Sequence, residues 1–271
     1  MTTQHVAVAF AVLTFTAGVE ASLPEHVKPD GPQQAVIYSE HIGNAGVGAG
    51  PSTALACRSL CPSTALPGTK CLIEGDAQRH GEYLRRTWRT ASASTDYTET
   101  WAMLPSVLPP RAPADICAMR LQLLRTLRIQ TSDGNESTIL SIDLNQGEGK
   151  RQVVKESRRG AADDVERRIA ALRATGYEPA GTARYAGYSC RLLRRTKGEL
   201  VQETCLLEDP AAPASVLGVP VQHMTLAHSM VNPAHPEART YGETQRLKFD
   251  AIVPAAVFTP PTHIQWKGPK K

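Results

Sequence analysis

The chain has 271 residues, 41% hydrophobic and 21% charged, so it is long enough to bury a core as one large domain or two modest ones. That composition excludes coiled coil, collagen and wholesale disorder. The formal charge of +4, spread along the chain, lacks the dense basic stripe of a nucleic-acid binder. Only 5% of residues are aromatic, while Gly and Pro number 20 each. The core should therefore be aliphatic and the connections rich in turns.

Residues 6–17 (VAVAFAVLTFTA) form an apolar run too short to span a bilayer, which needs about 20 residues. Small residues follow at Val19 and Ala21, and residues 1–21 read as a secretory signal peptide cleaved before Ser22. Its one irregularity is the lack of any Lys or Arg before the run. No other stretch reaches 18 apolar residues, so the mature chain is expected to have no transmembrane segment and to be periplasmic or secreted.

Export makes disulfides the expected state of Cys57, Cys61, Cys71, Cys117, Cys190 and Cys205. Cys190 and Cys205 flank Lys197-Gly198, and a two-residue turn there sets them face to face across a hairpin. The pairing among Cys57, Cys61, Cys71 and Cys117 stays open. A metal site built from Cys57, Cys61, Cys71 and His80 fits less well, because the spacings exceed those usual for zinc. No metal and no cofactor is expected.

Residues 22–68 are rich in Gly, Pro, Ser and Ala and read as an irregular arm, with Val36-Ile37-Tyr38 its one strand-like exception. The antiparallel sheet domain then occupies residues 69–271, with a candidate internal boundary at the Pro-rich residues 105–113. Within it, KCLIE, YLRRTWRTA and TDYTETWAML mix β-formers with polar residues. In residues 117–131 the apolar positions alternate, and a turn at Asp133-Gly134 places Leu127 opposite Leu140 and Leu123 opposite Leu144, with Ile142 on the same face. A further turn near Gly147 completes a three-stranded meander ending at Lys155.

Residues 161–175 form the clearest helix, with Val165, Ile169 and Leu172 on one stripe, acids in the first turns and Gly176 closing it. A strand around residues 182–188, the disulfide hairpin and a last strand carrying Leu247, Phe249, Ala251 and Val253 follow. The fold class is thus α+β, mainly an antiparallel sheet that could curl into a half-open barrel, with one or two packed helices.

Motifs for a nucleophile elbow, a zinc protease or a phosphate loop are absent from the sequence. His223, His228 and His235 lack the spacing that places two ligands on one helical face. The pairs Arg85-Arg86, Arg158-Arg159, Arg167-Arg168 and Arg194-Arg195 suggest an anion-binding face for lipid headgroups or cell-wall polymers. Neighbours in a strand point to opposite faces, however, so a solvated edge is the favoured reading of these pairs.

The segment Tyr185-Ala186-Gly187-Tyr188-Ser189-Cys190, with a second Cys further on, resembles uncharacterised bacterial envelope proteins. The layout from Arg151 to Pro261 is similar to that of the LolA/LolB-like periplasmic proteins, which implies a half-open antiparallel sheet wrapping helices and able to hold an acyl chain. No ligand residues carry over. The leading expectation is a non-catalytic exported protein binding an apolar ligand, a lipoprotein or another envelope partner on the concave side of the sheet, lined by Leu123, Leu127, Leu140, Ile142 and Leu144. The alternative is an interaction subunit of an envelope or secretion assembly that docks through the 22–68 arm by strand addition. A hydrolase with an unrecognised nucleophile ranks third. No nucleic-acid partner is expected.

Overall fold

The computed structural model describes residues 22–45, 70–106, 116–155 and 169–268. The signal-peptide reading, Cys57 and Cys61, most of the Pro-rich break and the first part of the expected helix lie outside these residues. The described residues form fifteen strands: β1 (Gln33–Ala45), β2 (Lys70–Glu74), β3 (Glu82–Arg89), β4 (Ala93–Pro105), β5 (Ile116–Ser132), β6 (Glu136–Asp143), β7 (Glu148–Lys155), β8 (Glu178–Tyr185), β9 (Tyr188–Lys197), β10 (Leu200–Leu207), β11 (Ser215–Val216), β12 (Val219–Pro220), β13 (Thr225–Asn232), β14 (His235–Pro254) and β15 (Gln265–Lys267). All but β11 and β12 join one sheet in the order β15-β7-β6-β5-β4-β3-β1-β14-β13-β10-β9-β8. That sheet is antiparallel except for β15 on β7 and β2 on β5.

The antiparallel expectation holds, but the sheet does not close, and β15 and β8 stand at its two ends. Among the described residues α-helix is confined to 169–174. That helix ends as its sequence demands: Gly176 takes φ +88°, Tyr177 N–H donates to Leu172 O and Gly176 N–H to Arg173 O. No helix among the described residues is long and apolar enough to cross a membrane.

The strand-like exception in the arm is a full strand, and it lies inside the sheet. β1 pairs with β3 on one edge and with β14 on the other. β4 and β5 pair continuously from Ala93↔Thr131 to Pro105↔Met119, so the segments on either side of the Pro-rich break belong to one sheet.

Both hairpins expected from an Xaa-Gly turn form, each with its register moved by two. Lys197 pairs with Leu200 and Ser132 with Ser137, so the loops are led by Gly198 and Gly134. Those glycines have φ +61° and +90°, while the residues after them have no positive φ. A glycine in the first loop position is what a type II′ turn asks for, whereas the expected turns put it second. Leu127 consequently faces Ile142, and Ile129 faces Leu140. A shift of two residues preserves the face on which every side chain lies, so the apolar grouping survives.

The two largest of three buried apolar clusters among the described residues sit on opposite faces of the sheet. The first gathers Val36, Tyr38, Trp88, Tyr97, Leu127, Ile129 and Ile142 beneath a 3-10 turn at Ala255–Phe258. Thr95 Oγ1 fastens that turn by donating to Val257 O at 3.0 Å. The second core packs Ile37, Leu207, Leu226, Ala227 and Leu247 around Cys190 and Cys205.

β14 serves both cores. Leu247, Phe249, Ala251 and Val253 read as one alternating face, yet Leu247 and Phe249 join the second core while Ala251 and Val253 join the first. The register jumps between Val36↔Ala251 and Tyr38↔Lys248, leaving an extra residue in β14. Such a bulge reverses the sense of the alternation, which is how consecutive odd positions reach opposite sides.

Candidate functional site

The five leucine and isoleucine positions expected to line a ligand site lie within the protein interior or at its margin. Leu127 and Ile142 are 0% and 3% exposed in the first core, and Leu140 and Leu144 pack against it. Leu123 is half-buried on β5 beside them. Leu127 and Ile142 have neighbours of this chain where a ligand was expected. A polar groove lies elsewhere, on the opposite face.

There, a groove of about 300 Å³ lies over β1 and β3, with Ser39, His41, Arg85, Arg89 and His228 among its walls and Ile37, Met224 and Leu226 at its apolar end. The sheet coils enough for β3 and β13, three positions apart in strand order, to line the same space. The floor is a glycine pair, Gly43 opposite Gly242. A Cβ on Gly43 would stand 2.6 Å from Tyr83 Cζ, and one on Gly242 would stand 2.5 Å from His228 Cε1. Only hydrogen at these two positions lets the Tyr83 ring and the His228 imidazole lie on the backbone.

Hydrogen bonds at the floor assign their own protons. Thr244 Oγ1 is 2.8 Å from Leu226 O, an acceptor only, so the threonine hydroxyl must donate there. Its remaining contact, 3.0 Å to His41 Nδ1, must then accept, which places a proton on Nδ1. In the neutral ring Nε2 is an acceptor, and Ser39 Oγ donates to it at 3.1 Å. The chain runs from Ser39 through His41 and Thr244 to the Leu226 carbonyl.

Burial holds His41 neutral, assisted by the nearby Arg85 guanidinium, and lowers its pKa from 6.5 to about 4. Burial also lowers His228 and raises Tyr83. A base that titrates near 4 is poorly matched to drawing a proton from a serine at neutral pH. Between pH 6.5 and 4 the unfolded chain binds a proton at His41 that the folded chain refuses, and stability must fall as acid is added across that window. Wild-type urea midpoints therefore drop from pH 7 to pH 4, and His41→Gln flattens part of the slope; parallel curves for the two proteins would remove His41 from this role.

With His41 neutral, arginine supplies the permanent charge of the groove. Arg85 bonds Asp96 at 3.1 Å, and Thr87 Oγ1 donates to the same carboxylate at 2.7 Å. Arg89, half-buried, has no ion pair among the described residues. Arg86 points to the other face and pairs with Glu40 at 3.1 Å. Of the Arg85-Arg86 pair only Arg85 belongs to the groove, as strand alternation requires. Among the described residues no group of three or more His, Cys, Asp or Glu side chains could hold a metal.

The arrangement can bind an anion beside a short apolar wall. His228 was visible as one of three spaced histidines, but His41, Arg85 and Arg89 were not singled out as a set. The polar residues run consecutively at Ser39-Glu40-His41 and Arg85-Arg86-Thr87, so alternation alone does not mark which of them share a face with the groove.

The Cys190–Cys205 disulfide closes one end of the second core, with Cα atoms 5.5 Å apart. The two cysteines are diagonal rather than opposed, since Cys190 faces Leu207 and Cys205 faces Leu192. Cys117 is disulfide-bonded as well.

No family model matches the sequence, and no curated protein matches it. Two solved structures of PNGF-II, in the P21 and C2 space groups, are similar at a TM-score of 0.34, with 10% and 11% sequence identity. The similarity covers 86% and 87% of this chain but 32% and 31% of theirs, so the chain spans about a third of their length.

Proposed function

We propose that the chain is an exported, non-catalytic binding protein that takes an anionic ligand in the groove over β1 and β3. The observation that carries this reading is Arg89, a half-buried guanidinium without an ion-pair partner among the described residues, set in a groove whose neighbouring histidine is neutral. An anion there meets a positive charge without displacing an existing ion pair. Its carbon skeleton lies against Ile37, Met224 and Leu226. This ligand differs from the apolar ligand, lipoprotein or envelope partner expected from the sequence, and the reading is supported by the burial of Leu127 and Ile142 in the first core. Export draws support from the Cys190–Cys205 and Cys117 disulfides, which persist in oxidising compartments.

Octanoate and octanamide share a shape and differ in charge, so calorimetric titration of both isolates the arginine contribution. Octanoate binds the wild type at least tenfold more tightly than octanamide, and Arg89→Gln removes most of that difference while leaving octanamide unchanged. Equal affinities for the two probes in the wild type would overturn the proposal.

A further inference from the structure

The same face of the sheet carries a second cationic cleft, and strand register connects it to the first. This open cleft of about 510 Å³ lies over β5, β6, β7 and β15. One continuous cross-strand row runs Thr87↔Asp96↔Arg128↔Ser141↔Lys150↔Lys267. Lys267 is paired with Glu148, and the Asp143 carboxylate accepts from Asn145 N–H at 2.9 Å and Gln146 N–H at 3.1 Å. Arg128 and Lys150 are exposed and have no ion pair among the described residues. Strands are about 4.8 Å apart, so Arg128 and Lys150, two strands from each other, are separated by about 10 Å, and Arg89, two strands and two residues from Arg128, by about 12 Å. Three unpaired cations thus recur at every second strand.

We infer that β3 to β7 form a track for one linear acidic polysaccharide, anchored at Arg89 and continued over Arg128 and Lys150. This extends the anion-binding reading of the groove and rests on it. Hydroxyl side chains stand among the cations on the same face: Ser94, Thr98, Thr126 and Ser141 are offered by β4, β5 and β6. Such a surface pairs acidic groups with cations and sugar hydroxyls with Ser and Thr. Single-stranded nucleic acid is disfavoured because Tyr83 in the groove is the one aromatic side chain that the described strands β3 to β7 offer on this face, too few to stack successive bases. Asp96 lies within the row, but Arg85 and Thr87 already engage its two carboxylate oxygens.

The test uses oligogalacturonates of increasing length, with heparin oligosaccharides as a sulfated counterpart and oligo(dT) as the nucleic-acid comparison. Affinity measured by calorimetry rises at least tenfold between the disaccharide and a chain long enough to span the track, and it weakens with salt. The double variant Arg128→Gln/Lys150→Gln loses that gain while binding octanoate and the disaccharide as the wild type does; Arg89→Gln weakens every carboxylate probe. Circular dichroism confirms that each variant is folded. Preference for heparin over oligogalacturonate of equal length would identify sulfate rather than carboxylate as the recognised group on the same track. Length-independent affinity, an unaffected double variant, or tighter binding of oligo(dT) overturns the track. An unaffected Arg89→Gln with an affected double variant instead overturns the groove as the anchor.

Discussion

Replacing Trp88 with alanine lowers the unfolding free energy by about 3 to 5 kcal/mol, the range for deleting a buried large aromatic side chain. Trp88 is 0% exposed, stands opposite Tyr38 on β1 and Thr95 on β4, and has its ring centroid 5.7 Å from that of Tyr38. Its neighbours belong to five strands and a 3-10 turn, so the space it leaves cannot be filled by the movement of one loop. The indole Nε1 is buried with no hydrogen-bond partner among the described residues. An unsatisfied donor of this kind is a cost already carried by the wild type. Trp88→Phe, which discards the donor with part of the ring, therefore loses less than half as much as Trp88→Ala. Urea unfolding monitored by far-ultraviolet circular dichroism checks both; a loss below about 1 kcal/mol for Trp88→Ala would contradict the packing described.

The second large effect belongs to the disulfide. Cys190 and Cys205 are separated by 15 residues, and releasing a loop of that size costs about 3 kcal/mol through the freedom gained by the unfolded chain. Both sulfurs lie in the second core at 1% exposure, so Cys190→Ala/Cys205→Ala also leaves a small cavity. The double variant should unfold at lower urea than the wild type, and a reductant should move the wild type toward it. Retention of wild-type stability to within about 1 kcal/mol would show that the hairpin holds its geometry without the bond.

These two positions also show what was legible in the sequence. The cysteine pair could be read because a hairpin turn lay midway between its members. Its facing residues could not, because Lys197-Gly198 and Gly198-Glu199 are both acceptable two-residue loops, and their registers differ by two. Period-2 patterning discriminates against a shift of one residue and is blind to a shift of two. The same ambiguity moved Leu127 from Leu140 to Ile142 without changing its face.

The split of β14 was hidden for a different reason. Apolar residues at 247, 249, 251 and 253 keep perfect alternation in sequence, and only the jump in pairing with β1 sends them to two cores. The groove was harder still. Ser39 and His41 come from β1, Arg85 and Arg89 from β3, and Met224 to His228 from β13 and the chain just before it. These become neighbours through strand order and coiling, which local patterns do not encode. The cationic track is legible only after register is known, since it takes one side chain from each of several strands.

The place of β1 has a consequence for how the chain is made. During synthesis β3 follows β1 within some forty residues, whereas the partner for the other edge, β14, appears roughly two hundred residues later. Until then Val36, Ile37 and Tyr38 belong to an open strand whose two faces will later be covered by different cores. Pairing across so long an interval is slow to form, and the waiting edge can add to any other extended chain it meets. The pairing of β1 with β14 is therefore among the last contacts the chain can complete as it is made.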